Sequence, residues 1–110
     1  MNWIPLTDLT QLDALVKESF AKPVAIFKHS ARCSVSMMVK KGLEREWNSG
    51  SDPVSVYFLD LIAYRPVSSE IAARFSVTHE SPQLLLIKDG KAIYHSSHSE
   101  IAFEDMLKAA

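Results

Sequence analysis

The stretch Val24-Ala25-Ile26-Phe27-Lys28-His29-Ser30-Ala31-Arg32-Cys33-Ser34-Val35-Ser36 decides the fold. Residues 24–27 form an apolar, partly β-branched run suited to a buried central strand. The chain then turns polar from His29 to Ser36. Beyond it the pattern is helical: Val35, Val39, Leu43 and Trp47 recur every four residues. The segment reads as strand, polar junction, helix. Cys33, the one cysteine in the chain, sits at that junction and opens the helix.

Such a position matters chemically. The first N–H groups of a helix lack intrahelical partners, and the macrodipole adds about half a positive charge there. Both favour a thiolate, which is the nucleophilic form of cysteine. Lys28, His29 and Arg32 are close in sequence and are expected to add positive potential. A lone cysteine is often an inert core residue, but the polar neighbours Arg32 and Ser34 make this a poor place for one. Ser36 lies three residues on and shares a face of the first helical turn with Cys33. A cysteine there would be a resolving thiol. A serine cannot form a disulfide, so attack on a disulfide stops at a mixed disulfide until an external thiol resolves it. The Ser36 hydroxyl either donates to the thiolate or is a helix-start serine without a role.

Working outward, Thr7 or Asp8 caps a first helix with Leu9, Leu12, Leu15, Val16 and Phe20 as its apolar face. Lys22-Pro23 ends it. Asn48-Ser49-Gly50-Ser51-Asp52-Pro53 is a turn cluster, followed by a strand over 54–59. A third helix is expected after Pro66, capped by Ser68 or Ser69. Residues 84–88 and 91–95 flank Asp89-Gly90, a two-residue hairpin signal. Ser97 and Glu100 resemble a capping box for a last helix over 99–108. The order α-β-α-β-α-β-β-α predicts a four-stranded mixed sheet flanked by helices, its first two strands parallel. Ser81-Pro82 stands just before the third strand; proline there is usually a trans turn residue.

Composition bounds the function. At 110 residues the chain is expected to be a single domain, 1–110. Twelve basic and thirteen acidic residues leave a net charge of −1, which argues against nucleic-acid binding. No apolar run is long enough to span a membrane. The start Met1-Asn2-Trp3-Ile4-Pro5 has no secretory pattern, and a lone cysteine suits a reducing cytoplasm. One cysteine makes no cysteine-rich zinc site, and His95 and His98, separated by Ser-Ser, have no metal spacing, so no metal is expected.

Cys33-Ser34-Val35-Ser36 after its strand, together with Ser81-Pro82 before the next, resembles the thioredoxin superfamily over nearly the whole chain. The resemblance implies a thioredoxin-like domain in which Pro82 is a cis-proline set against Cys33 and Ser81 pairs with a bound substrate strand. More narrowly, Phe27-Lys28-His29-Ser30-Ala31-Arg32-Cys33 and Val77-Thr78-His79-Glu80-Ser81-Pro82-Gln83 resemble the monothiol bacilliredoxins of the bacillithiol system. So do the opening Trp3-Ile4-Pro5-Leu6, the strand Val54-Ser55-Val56-Tyr57-Phe58-Leu59-Asp60 and Lys88-Asp89-Gly90-Lys91. Relatives often carry proline after the active-site cysteine. Ser34 stands there instead, which leaves the thiol intact and bears on its redox poise, since a serine can add a hydrogen bond.

This resemblance implies a cytoplasmic thiol–disulfide oxidoreductase acting in oxidative stress. It would take bacillithiol from bacillithiolated client proteins onto Cys33, with a small thiol or a reductase regenerating it. No resident cofactor is implied; bacillithiol is a co-substrate. Its malate carboxylates would meet Lys28, His29 or Arg32. Two other readings compete. One is a binding module of the same fold with an idle cysteine. The other is an iron–sulfur carrier, disfavoured because Ser34 and Val35 stand where such glutaredoxins have Gly and Phe. A Cys–His hydrolase would need an orienting Asn or Asp, and none is evident.

Overall fold

The computed structural model describes residues 3–46 and 54–109. Trp47 and the turn cluster 48–53 lie outside the described residues. The strand that opens the deciding stretch, β2 (Val24–His29), is buried at every position. It runs between β3 (Ser55–Asp60), parallel to it, and β4 (Gln83–Lys88), antiparallel to it. β5 (Lys91–Ser97) follows β4 as a hairpin, and β1 (Trp3–Pro5) flanks β3 in parallel. The sheet order is β1-β3-β2-β4-β5.

Five strands replace the four expected from sequence. The extra one, β1, is three residues long and ends in a proline. Proline cannot donate to a ladder, so it is tolerated only on an edge such as this. Leu6 N–H continues the pairing to Phe58 O at 2.8 Å.

Alternation along β2 sends successive side chains to opposite faces. Val24 and Ile26 pack with Leu12 and Leu15 of α1 (Leu9–Glu18) and with Val67, Ile71 and Phe75 of α3 (Arg65–Phe75). Ala25 and Phe27 pack with Leu43 of α2 (Ser34–Glu46) and with Phe103 and Met106 of α4 (Phe103–Ala109). Two apolar layers therefore sandwich the sheet, and each needs its own helices because both faces of a central strand must be dry.

Several boundaries move. Asp8, rather than Thr7, caps α1, its Oδ1 accepting from Gln11 N at 2.7 Å. Phe20 falls past the last turn of α1 and is exposed, so helical spacing no longer governs it; Leu9 is exposed too. α3 begins at Arg65, with Pro66 inside its first turn, where an N–H has no partner to lose. Ser68 and Ser69 are therefore helical residues and not caps. The Asp89-Gly90 turn has φ of 52° and 75°, the left-handed pair a tight hairpin requires. The capping box does not form. Ser97 ends β5, its hydroxyl donates to the Glu80 carboxylate, and a 3₁₀ turn at His98–Glu100 intervenes before α4.

Candidate functional site

Where β2 ends, the chain makes a tight turn into α2. Cys33 N–H donates to Ser30 O at 3.1 Å, and Cys33 O accepts the helical bond from Met37 N at 3.2 Å. Cys33 thus occupies the position just before the helix proper, with its side chain partly exposed. Arg32 and Ser34 beside it are exposed. Val35, Met37 and Met38 are also exposed, an apolar surround on the outer turn of an otherwise polar helix.

Ser36 is fully buried beneath this turn. Its hydroxyl oxygen accepts from Ser30 N–H at 3.1 Å and bonds His29 Nδ1 at 2.7 Å. The hydroxyl is thus engaged with the strand end instead of the Cys33 sulfur. One end of the Ser30–Cys33 turn is thereby fastened to the helix that follows. His29 is buried among aromatic rings, with Phe58 at 5.2 Å and Phe27 at 5.9 Å between centroids. Burial pushes the His29 imidazole below its usual range; Lys40 adds to this, while Asp60 and the Ser36 bond oppose it. Its Nδ1 is committed to Ser36, and its ring lies among Phe27 and Phe58 in the layer beneath α2.

Lys28 corrects a second expectation. It is fully buried on the sheet face opposite α2, because its place in β2 alternates with that of His29. Its Nζ reaches His79 Nδ1 at 3.1 Å, and burial lowers its pKa to about 8. Of the three basic residues expected around Cys33, Arg32 alone faces solvent; Lys28 and His29 are interior, on opposite faces.

Pro82 immediately precedes β4, and the Ser81–Pro82 peptide is cis. Since Gln83 pairs with Lys28, Ser81-Pro82 lies alongside the His29-Ser30 end of β2, the end from which Cys33 projects. Pro82 is buried and Ser81 half-buried, and Ser81 Oγ is a buried atom without a hydrogen-bond partner among the described residues. Gln83 Nε2 donates to Thr78 O at 3.1 Å, holding the approach to this corner. His79 turns to Lys28 and α3, a placement that required knowing which loop crosses which strand face.

The family profile described as Monothiol bacilliredoxin BrxC matches residues 4–106. The chain belongs to this family. The bacilliredoxin shares its architecture with solved thioredoxin folds. A structure described as a candidate oxidoreductase with a thioredoxin fold is 28% identical, at a TM-score of 0.78 over 97% of this chain and 92% of that one. Mitochondrial thioredoxin 3 of Saccharomyces cerevisiae, in its oxidised form, is 22% identical, at 0.77 over 97% and 94%. A Malassezia sympodialis thioredoxin is 16% identical, at 0.76 over 98% and 87%. Fold, family and a lone half-exposed cysteine together support a thiol oxidoreductase. Among the described residues, no helix is long and apolar enough to cross a membrane, and no cluster of three or more His, Cys, Asp or Glu is placed to hold a metal.

Proposed function

We propose that this bacilliredoxin is a monothiol oxidoreductase that removes a low-molecular-weight thiol, bacillithiol, from protein mixed disulfides in the cytoplasm. One observation carries the reading: the family's single cysteine stands half-exposed at the start of α2, its turn fastened from below by Ser36 and His29. In the forward step the Cys33 thiolate attacks the sulfur of the cap. A Cys33–cap disulfide forms, the client–cap disulfide breaks, and the client leaves as a thiolate that takes a proton from water. No net oxidation occurs. A second small thiol then attacks the cap sulfur. Cys33 is released reduced, and two small thiols leave joined as a disulfide.

Ser36 contributes by holding the turn, since as a serine it cannot compete for the mixed disulfide. Ser34 retains a backbone N–H where the family's usual proline has none, which adds a donor at the helix start. Arg32 is the exposed cation beside the sulfur and suits a carboxylate of the cap. Ser81 and Pro82 would line the client's extended segment, and the exposed Val35 and Met37 would meet its apolar side chains. The test is intact mass spectrometry after mixing with a bacillithiolated client. One bacillithiol adduct on the wild-type protein and none on Cys33→Ser is the expected result. A free client thiol released equally fast by Cys33→Ser would overturn the reading.

A further inference from the structure

Residues 78–80, between α3 and Ser81, are exposed and belong to no helix or strand. Side chains from three strands hold them one by one. Gln83 Nε2 of β4 donates to Thr78 O at 3.1 Å, Lys28 Nζ of β2 meets His79 Nδ1 at 3.1 Å, and the Ser97 hydroxyl of β5 donates to the Glu80 carboxylate. From α3, Ser68 Oγ approaches the same His79 nitrogen at 3.5 Å. Lys28 and Gln83 are partners in the β2–β4 ladder, so their side chains leave the sheet on one face, and both end on this segment. The chain reaches Ser81 two residues after His79.

Lys28 is the costly member of this set. It is fully buried, and burial lowers its pKa to about 8. None of the ion pairs among the described residues includes it, so no carboxylate offsets the burial of its charge. A methionine would fill a similar volume without that cost. What the lysine adds is a donor that crosses from the buried face of the sheet to an exposed segment. An ammonium only donates, so His79 Nδ1 is the acceptor, and the neutral ring carries its proton on Nε2. The bond fixes the ring, and with it the backbone just before Ser81.

We infer that Lys28 is a positioning residue for client docking: through His79 Nδ1 it holds residues 78–80 so that the backbone of Ser81 is set to pair with the client's extended segment. The inference rests on the thiol-exchange reading and adds the side chains that shape its client-binding edge. The role asks no contact of Lys28 or His79 with the sulfur or the cap.

The experiment compares two substrates that carry the same cap. One is a short cysteine peptide capped by bacillithiol; the other is the mixed disulfide of bacillithiol with 2-mercaptoethanol, which has no strand to pair. The ratio of their second-order rate constants for cap transfer to Cys33, peptide over small disulfide, should fall at least about five-fold in Lys28→Met. His79 is exposed, so His79→Ala should keep the fold and lower the ratio equally. The double variant should lose no more than either single one, because the two side chains act through one bond. His79→Asn, which keeps an acceptor near the place of Nδ1, should retain most of the wild-type ratio. An unchanged ratio in Lys28→Met overturns the inference. Additive losses in the double variant, or a His79→Asn ratio as low as that of His79→Ala, overturn it as well. Cap transfer from neither substrate to the wild-type protein overturns the thiol-exchange reading instead, and backbone dynamics then decide the positioning. In Lys28→Met, the NMR order parameters of residues 78–81 should fall from the rigid range, about 0.85, toward 0.6, while those of β2 hold. Unchanged order parameters over 78–81 rule the positioning out.

Discussion

On one face of β2, His29 lies under the start of α2 and shares a hydroxyl with the turn that carries Cys33. On the other face, Lys28 lies under α3 and bonds a histidine in the segment that leads to the cis peptide. The two are sequence neighbours with basic side chains, and both are buried. Their environments differ in what they ask of the proton. His29 is among aromatic rings, where burial favours its neutral form and Ser36 satisfies its Nδ1. Lys28 keeps a charge that burial disfavours, with an imidazole nitrogen in place of a carboxylate as its partner. One face stabilises a turn with neutral hydrogen bonds, whereas the other stores positive potential.

If both layers are complete cores, truncating either side of the strand should unfold the protein to a similar degree. Phe27→Ala is expected to cost about 3–5 kcal/mol and Ile26→Ala about 2–5 kcal/mol, read from urea unfolding midpoints. A cost under about 1 kcal/mol for either would mean that one layer is dispensable.

The charge on Lys28 separates the faces next. Its folded pKa is about 8 against 10.5 unfolded. Below pH 8 both states hold the proton, and the folded chain bears the burial cost in full. Between about pH 8 and 10.5 the folded chain sheds the proton while the unfolded chain retains it, so stability rises with pH. Lys28→Met lacks this rise. Relative to wild type it should lose up to about 3 kcal/mol of its advantage across that window, measured by urea unfolding at pH 7 and at pH 10.5. A constant difference would place the ammonium in contact with water.

On the α2 face the matching change is smaller. Ser36→Ala leaves His29 Nδ1 and Ser30 N–H without their partner, which should cost about 1–3 kcal/mol. Because the turn loosens with it, the rate of cap transfer to Cys33 should fall several-fold, as followed by quenched-flow mass spectrometry. Unchanged stability and rate would remove the fastening role. The smallest effect belongs to the outer surface of the α1–α3 side. Arg74 bridges Asp13 at 2.7 Å and Glu70 at 3.1 Å, with all three side chains partly in solvent. Arg74→Ala should cost less than about 1 kcal/mol, and less again in 0.5 M salt.

Much of this architecture is written locally. The apolar run 24–27, the Asp89-Gly90 turn and the position of Cys33 between strand and helix each depend on a few neighbouring residues, and the folded chain places them as read. The last helix and the third helix start elsewhere because their capping serines had other uses: Ser97 serves Glu80, and Ser68 faces His79 from within α3. A hydroxyl's preference for a cap is worth about a kilocalorie, which a long-range partner easily outweighs. β1 escaped notice because three residues ending in proline carry no periodicity of their own; pairing with β3 alone makes them a strand.

By itself, then, the sequence determined that a lone thiol would sit at a strand-to-helix turn, since propensity, polarity and proline placement act over short distances. Only the tertiary structure decided what surrounds that thiol. Which sheet face Lys28 and His29 took, that Ser36 bonds His29, and that His79 meets Lys28 across 51 residues all depend on strand order and helix packing. Hydrogen bonds between distant segments have no signature in the chain until the sheet brings their donors and acceptors within 3 Å or so of one another.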